Sequence, residues 1–134
     1  MMTIPMWCMV AGMFLPYIWA LASLPFRLSQ FGTVDFSHPR EQADRMTATG
    51  YSVVGAQFNA WEALTLFSVA NLIAFMAGLN ADGNWTLAAM IWVGARIAHG
   101  IFYVANVPVL RVFSFSAGLG MSLWIIFQAA MVVA

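Results

Sequence analysis

The chain has no lysine, one cysteine and little charge of either sign. Only 7% of its 134 residues are charged, five arginines against five acidic residues, for a formal charge of zero. Soluble domains carry about 25% charged residues, so there are too few here to cover a water-facing surface, and a soluble globular domain is excluded. The absence of any basic run argues against a nucleic-acid partner, which needs clustered cations. A single cysteine, Cys8, excludes a disulfide framework and every multi-cysteine metal cluster within one chain. No repeat or low-complexity segment is present. A sequence without lysine and without a reticulum-retrieval tail is expected of a bacterial inner membrane.

What the chain does have is apolar length: 63% hydrophobic residues and a mean hydropathy of +0.84. Four stretches are long enough for the roughly 20 residues that a helix needs to cross the hydrocarbon layer. They run from Ile4 to Leu24, Ser52 to Leu79, Trp85 to Ala105 and Val112 to Val133. The fold expected is therefore one all-α domain over residues 1–134, a bundle of four transmembrane helices. Pro5 suits a first helical turn, and Pro16 predicts a kink within the first span. A cleaved signal peptide is the competing reading of that span, through Ala20-Leu21-Ala22, but the basic n-region is missing and two prolines interrupt it.

Six of the ten formal charges lie in the connection from Pro25 to Gly50, namely Arg27, Asp35, Arg40, Glu41, Asp44 and Arg45, with His38 among them. The second connection, Asn80-Ala81-Asp82-Gly83-Asn84, is built of turn-forming residues and predicts an antiparallel hairpin of spans two and three. The third, Asn106 to Arg111, contains Pro108. Arginines sit in connections one and three, whereas both ends and connection two have none. Since basic residues stay on the cytoplasmic side, both termini are expected to face away from the cytosol.

The informative residues are polar ones inside apolar spans: Gln57, Asn59 and Glu62 in the second, Arg96 and His99 in the third. An ionisable side chain at membrane depth costs several kcal/mol unless paired or wetted, so each is a functional candidate. At about 100° per residue, Ser52, Gly55, Asn59 and Glu62 share one stripe, with Gln57 on another side, and Arg96, His99, Gly100 and Tyr103 share a face of the third span. Measured from Ala81, Glu62 lies 19 residues back and Arg96 15 residues on, a difference of about 6 Å at 1.5 Å per residue. The two charges are expected to meet, with a polar cleft opening toward the arginine-rich edge. The plainer alternative is a structural ion pair, with Gln57 and Asn59 as interhelical hydrogen-bond glue. A ligand suited to the cleft carries both signs, an ammonium for Glu62 and carboxylates for Arg96 or a loop arginine.

Other features read as structure. Haem ligation by His38 and His99 is disfavoured because only one lies within a span. Cys8 has no neighbouring base and reads as an inert thiol. Methionine and phenylalanine read as packing and lipid-facing residues, and Ser114, Gly118 and Ser122 as a small-residue packing stripe. The tryptophans near span ends read as interfacial anchors.

Four spans in this length, the connection ending Asp35-Phe36-Ser37-His38-Pro39-Arg40, and Gln57-Phe58-Asn59-Ala60-Trp61-Glu62 in the second span resemble the MAPEG family. These are membrane-associated proteins of eicosanoid and glutathione metabolism. The opening Thr3-Ile4-Pro5-Met6-Trp7-Cys8 with Leu15-Pro16-Tyr17 is similar to many bacterial members. The most specific element is Asn59-x-x-Glu62 combined with Arg96 and Tyr103. The resemblance implies a homotrimer in the membrane lipid, with glutathione bound between neighbouring protomers near the cytosolic side and a lipophilic small-molecule substrate. It implies that Asn59 and Glu62 hold the tripeptide with Gln57 near them, and that Arg96, His99 and Tyr103 form the opposite wall. Arg111 is the match to the arginine that some members place beside the sulfur, where it would serve catalysis. Two positions depart from the pattern: Ser52 and Gly55 stand where many members have a second-span arginine, and His99 where many have tyrosine. A loop arginine, Arg27, Arg40 or Arg45, is a possible substitute. The implied activity is a glutathione transferase or peroxidase; the alternative is a non-catalytic member that binds lipid or scaffolds a membrane complex.

Overall fold

The computed structural model describes residues 1–81 and 83–133 and is all-helical. Five helices follow one another: α1 Ile4–Phe31, α2 Pro39–Asp44, α3 Ala48–Met76, α4 Asn84–Val104 and α5 Pro108–Val133. All but α2 are long and apolar enough to cross a membrane. The four expected spans are present, and the first, second and fourth have longer arginine-side ends than hydropathy alone draws. Asp82, inside the expected turn, lies outside the described residues.

The first span does not stop at Leu24. It continues across Pro16 and Pro25 to Phe31 and ends at Gly32, whose φ of +72° is open to glycine without a Cβ penalty. A proline removes one ladder bond, but contacts further along hold the final turns. Arg27 is buried and donates to the Pro39 carbonyl at 2.9 Å, to Gln42 Oε1 at 3.0 Å and to Ser23 Oγ at 3.3 Å. Gln42 in turn donates to the Thr33 carbonyl at 2.8 Å and accepts from Asp35 N at 3.1 Å. The connection is thus folded onto the end of α1, with Pro39 pre-set for the start of α2.

In the bundle α1 packs on α3 and α4, and α5 on α4 and α3, so α3 and α4 form the central pair. Alanines 70, 74, 88 and 89 are fully buried or nearly so and let backbones approach, which is how membrane helices gain packing contact without a hydrophobic drive between them. Phe67 stacks on Trp92 with centroids 3.8 Å apart and planes 6° from parallel. Trp85 is not an interfacial anchor: it is buried, and its indole N–H donates to Asn71 Oδ1 at 2.9 Å, locking α3 to α4. Trp7, near the start of α1, is exposed as an anchor requires, whereas Trp61, also exposed, sits at the middle of α3. Ser114, Gly118 and Ser122 are all buried against neighbouring helices, as read from sequence, and Cys8 lies in the core cluster.

Candidate functional site

The polar residues of α3 and α4 assemble around Arg96. Its side chain is 4% exposed, and Nη2 donates to the Asn59 backbone oxygen at 3.3 Å and to Asn59 Oδ1 in a shorter contact. The guanidinium carbon lies 6.0 Å from the Phe115 ring centroid, while Nε has no partner among the described residues.

The expected ion pair between Glu62 and Arg96 is not made. Among the described residues the ion pairs within 4.0 Å are His38–Asp35 and Arg45–Glu41, both in the connection. The height arithmetic nonetheless holds, since Glu62 and Arg96 line one cavity. Arg96 finds neutral acceptors on Asn59, whereas Glu62 is exposed on the outer face of the bundle.

The cavity lies between α3, α4 and α5, is lined by Glu62, Leu66, Trp92, Arg96, Phe115 and Ser122 among others, and measures about 130 Å³. It falls below the roughly 300 Å³ where small-ligand pockets begin. A tripeptide does not fit inside this cavity, and a ligand of that size would meet Glu62 on the outer face of the bundle, where it is exposed.

A second cluster lies toward the arginine-rich edge. Arg111 is not in the connection: α5 begins at Pro108, and Arg111 belongs to its first turn. Its guanidinium carbon stands 4.7 Å from the Tyr103 ring centroid, within the range of a cation–π contact. Among the described residues that guanidinium makes no hydrogen bond or ion pair, so all five N–H donors remain uncommitted. His99 is 3% exposed, and its Nδ1 lies 3.0 Å from the Arg111 backbone oxygen. Its ring meets Tyr103 edge-on at 5.7 Å and Phe115 at 5.9 Å. Tyr103 lies against Gly55: a Cβ there would come within 2.7 Å of the phenol oxygen.

Asn59, Glu62 and Arg96 therefore gather at one level and His99, Tyr103 and Arg111 at the next. Gln57 joins neither; it is half-buried and makes no hydrogen bond among the described residues. Of the loop arginines, Arg27 is committed to holding the connection, and Arg45 lies 3.8 Å from Glu41 and over the Phe31 ring. Arg40 is exposed. Asp35 accepts from His38 N at 2.8 Å and Ser37 N at 2.9 Å, and these bonds, the His38 one foremost, hold its carboxyl below the usual carboxylate range. Sequence reasoning missed Phe115, which faces both Arg96 and His99 from α5, because one phenylalanine among eleven gives no signal. Gly55 was placed on the polar stripe, but its contact with Tyr103 is not visible in spacing along one helix.

No curated protein and no solved structure matches the chain significantly. The family model described as "MAPEG family" matches residues 4–131. With four helices long and apolar enough to span a bilayer, the chain is an integral, multi-pass membrane protein. The protein belongs to the MAPEG family.

Proposed function

We propose that this protein is a glutathione-dependent transferase or peroxidase acting on lipophilic electrophiles or lipid hydroperoxides. The observation that carries the reading is Arg111, a guanidinium held over an aromatic ring with its hydrogen-bonding edge open to an anion. A free thiol near pKa 8.5 is only a few per cent thiolate at neutral pH, and an adjacent cation enlarges that fraction. The exposed carboxylate of Glu62 suits the ammonium of the tripeptide, and Asn59, Gln57, Arg96, His99 and Tyr103 would complete the walls, contributed by two protomers of a homotrimer. Such sharing is consistent with an internal cavity too small for the ligand.

The thiol proton would leave to water. The thiolate then attacks an electrophilic carbon, forming a C–S bond as the leaving group departs. With a hydroperoxide it attacks the distal oxygen and the O–O bond breaks, giving an alcohol and a sulfenic acid, which a second glutathione converts to disulfide and water. No protein nucleophile is needed. A shallow apolar surface on the first turns of α5, formed by Pro108, Val109, Val112 and Phe113, suits a lipophilic substrate arriving from the lipid side. The arginine-rich edge is taken as cytosolic, with both termini opposite, in a bacterial inner membrane.

One observation favours the second reading, a non-catalytic member that binds lipid or scaffolds partners. Tyr103 occupies the space in front of Gly55, so this chain carries no second-span arginine there to receive a carboxylate. The deciding experiment mixes purified protein with millimolar glutathione and follows thiolate absorbance against pH. Thiolate formed below the free thiol's pKa supports the enzyme; its absence supports the second reading. Crosslinking in mild detergent tests the trimer, and a monomer would remove the shared site.

A further inference from the structure

We propose that His99 is a positioning residue for Arg111, a strut from α4 that fixes the first turn of α5 and so the place of the guanidinium. The inference rests on Arg111 as the thiol-activating group and adds what aims it.

A carbonyl can only accept, so the 3.0 Å contact requires the proton of the His99 imidazole to sit on Nδ1. A helical carbonyl keeps a second lone pair beyond its own ladder bond, and His99 takes it on the Arg111 oxygen. The bond spans twelve residues across the short connection between Val104 and Pro108. One turn further along α4, Tyr103 receives the guanidinium of the same arginine at 4.7 Å. Both the backbone and the side chain of Arg111 are thus held by one face of α4. The seat itself is shaped by Gly55, which lets the Tyr103 ring lie flat against α3. The imidazole is buried between Tyr103 and Phe115, and Nε2 has no partner among the described residues. Its one polar contact among the described residues is therefore the strut. Misplacement of a catalytic group by about 1 Å can cost on the order of a hundredfold in rate, so such a hold bears directly on activity.

The test uses the full-length protein in bilayers. With ¹⁵N-labelled histidine, magnetic resonance should find the His99 proton on Nδ1, assigned against His38 by its loss in His99→Asn. A proton on Nε2 with bare Nδ1 overturns the proposal. Hydrogen exchange of the amides of residues 111–115 should rise about fivefold in His99→Phe, the worth of one neutral hydrogen bond, and return in His99→Asn, whose amide can replace the Nδ1 donor. Unchanged exchange in the phenylalanine variant, or no recovery in the asparagine variant, also overturns it. With glutathione present, His99→Phe should lower the thiolate fraction about fivefold, and His99→Asn should restore it. Equal loss of thiolate in both variants argues against positioning. A native protein with the Nδ1 proton and the exchange pattern but no thiolate refutes the glutathione reading while the strut stands.

Discussion

Replacing Arg111 with leucine separates chemistry from architecture. The guanidinium makes no hydrogen bond among the described residues, so the variant loses only its stack on Tyr103, worth about 0.5–1 kcal/mol of stability. The electrostatic loss is larger. Two unit charges about 4 Å apart at an effective dielectric near 20 interact by about 4 kcal/mol. Arg111 is half-buried at the edge of the bundle, and salt and water reduce that figure to roughly 1.5–3 kcal/mol. This corresponds to a thiol pKa lowered by about one to two units from its free value near 8.5. Losing it should take the bound thiolate at neutral pH from about half to a few per cent, a fall of roughly tenfold or more. The sign is that of an acid stabilised in its charged form by a cation, so the variant's thiolate titration should move to higher pH. Thiolate absorbance against pH gives the shift, turnover with a lipophilic electrophile gives the rate, and thermal unfolding in detergent checks the fold. A leucine variant that forms thiolate over the same pH range as the native protein would refute the reasoning.

Glu62→Gln should leave thermal stability within about 0.5 kcal/mol, as expected at an exposed position that makes no ion pair among the described residues, and weaken glutathione binding roughly ten- to a hundredfold. Calorimetry measures it, and unchanged affinity with a lowered melting point would return the residue to a structural role. Asn59→Ala strands the buried Arg96 guanidinium and should cost about 2–4 kcal/mol, read as loss of thermal stability; an unshifted transition would mean that Arg96 finds another acceptor. Gly55→Ala forces the Tyr103 ring away from α3 and should destabilise by about 1–3 kcal/mol, with Tyr103→Ala in the same chain relieving the clash; additive effects in the double-mutant cycle would contradict the contact. Because the carboxyl of Asp35 titrates below its ordinary value in the folded chain, its contribution is present above the unfolded pKa and fades as pH falls through the folded one. The protection factors of the Ser37 and His38 amides, taken relative to intrinsic exchange at each pH, should therefore fall on acidification, and Asp35→Asn should abolish that dependence.

The four spans, their order and the level of the polar residues were legible in the sequence because each follows from local quantities. A run of about 20 apolar residues must hydrogen-bond its own backbone in lipid, so it is a helix wherever it lies. A short turn sets two antiparallel helices in register, which placed Glu62 and Arg96 at one cavity. Helix ends were less legible. Hydropathy stopped the first span at Leu24 because Pro25 and Arg27 look like its exit, yet Arg27 is satisfied by Pro39 and Gln42 from beyond the turn. Arg111 was likewise assigned to a loop, because a proline three residues earlier reads as a break but opens a helix here.

Composition and periodicity determined that this is a helical membrane protein with polar groups facing inward from its second and third spans. Only the tertiary structure decided which of those groups join. Spacing along a helix gives height and face to within a side chain's reach, but partners are chosen by burial, and burial depends on every neighbouring helix at once. Arg96 therefore turns to the neutral oxygens of Asn59 while Glu62 stays exposed on the outer face, and Arg111 lies over Tyr103 because a glycine on α3 leaves the ring room to lie there.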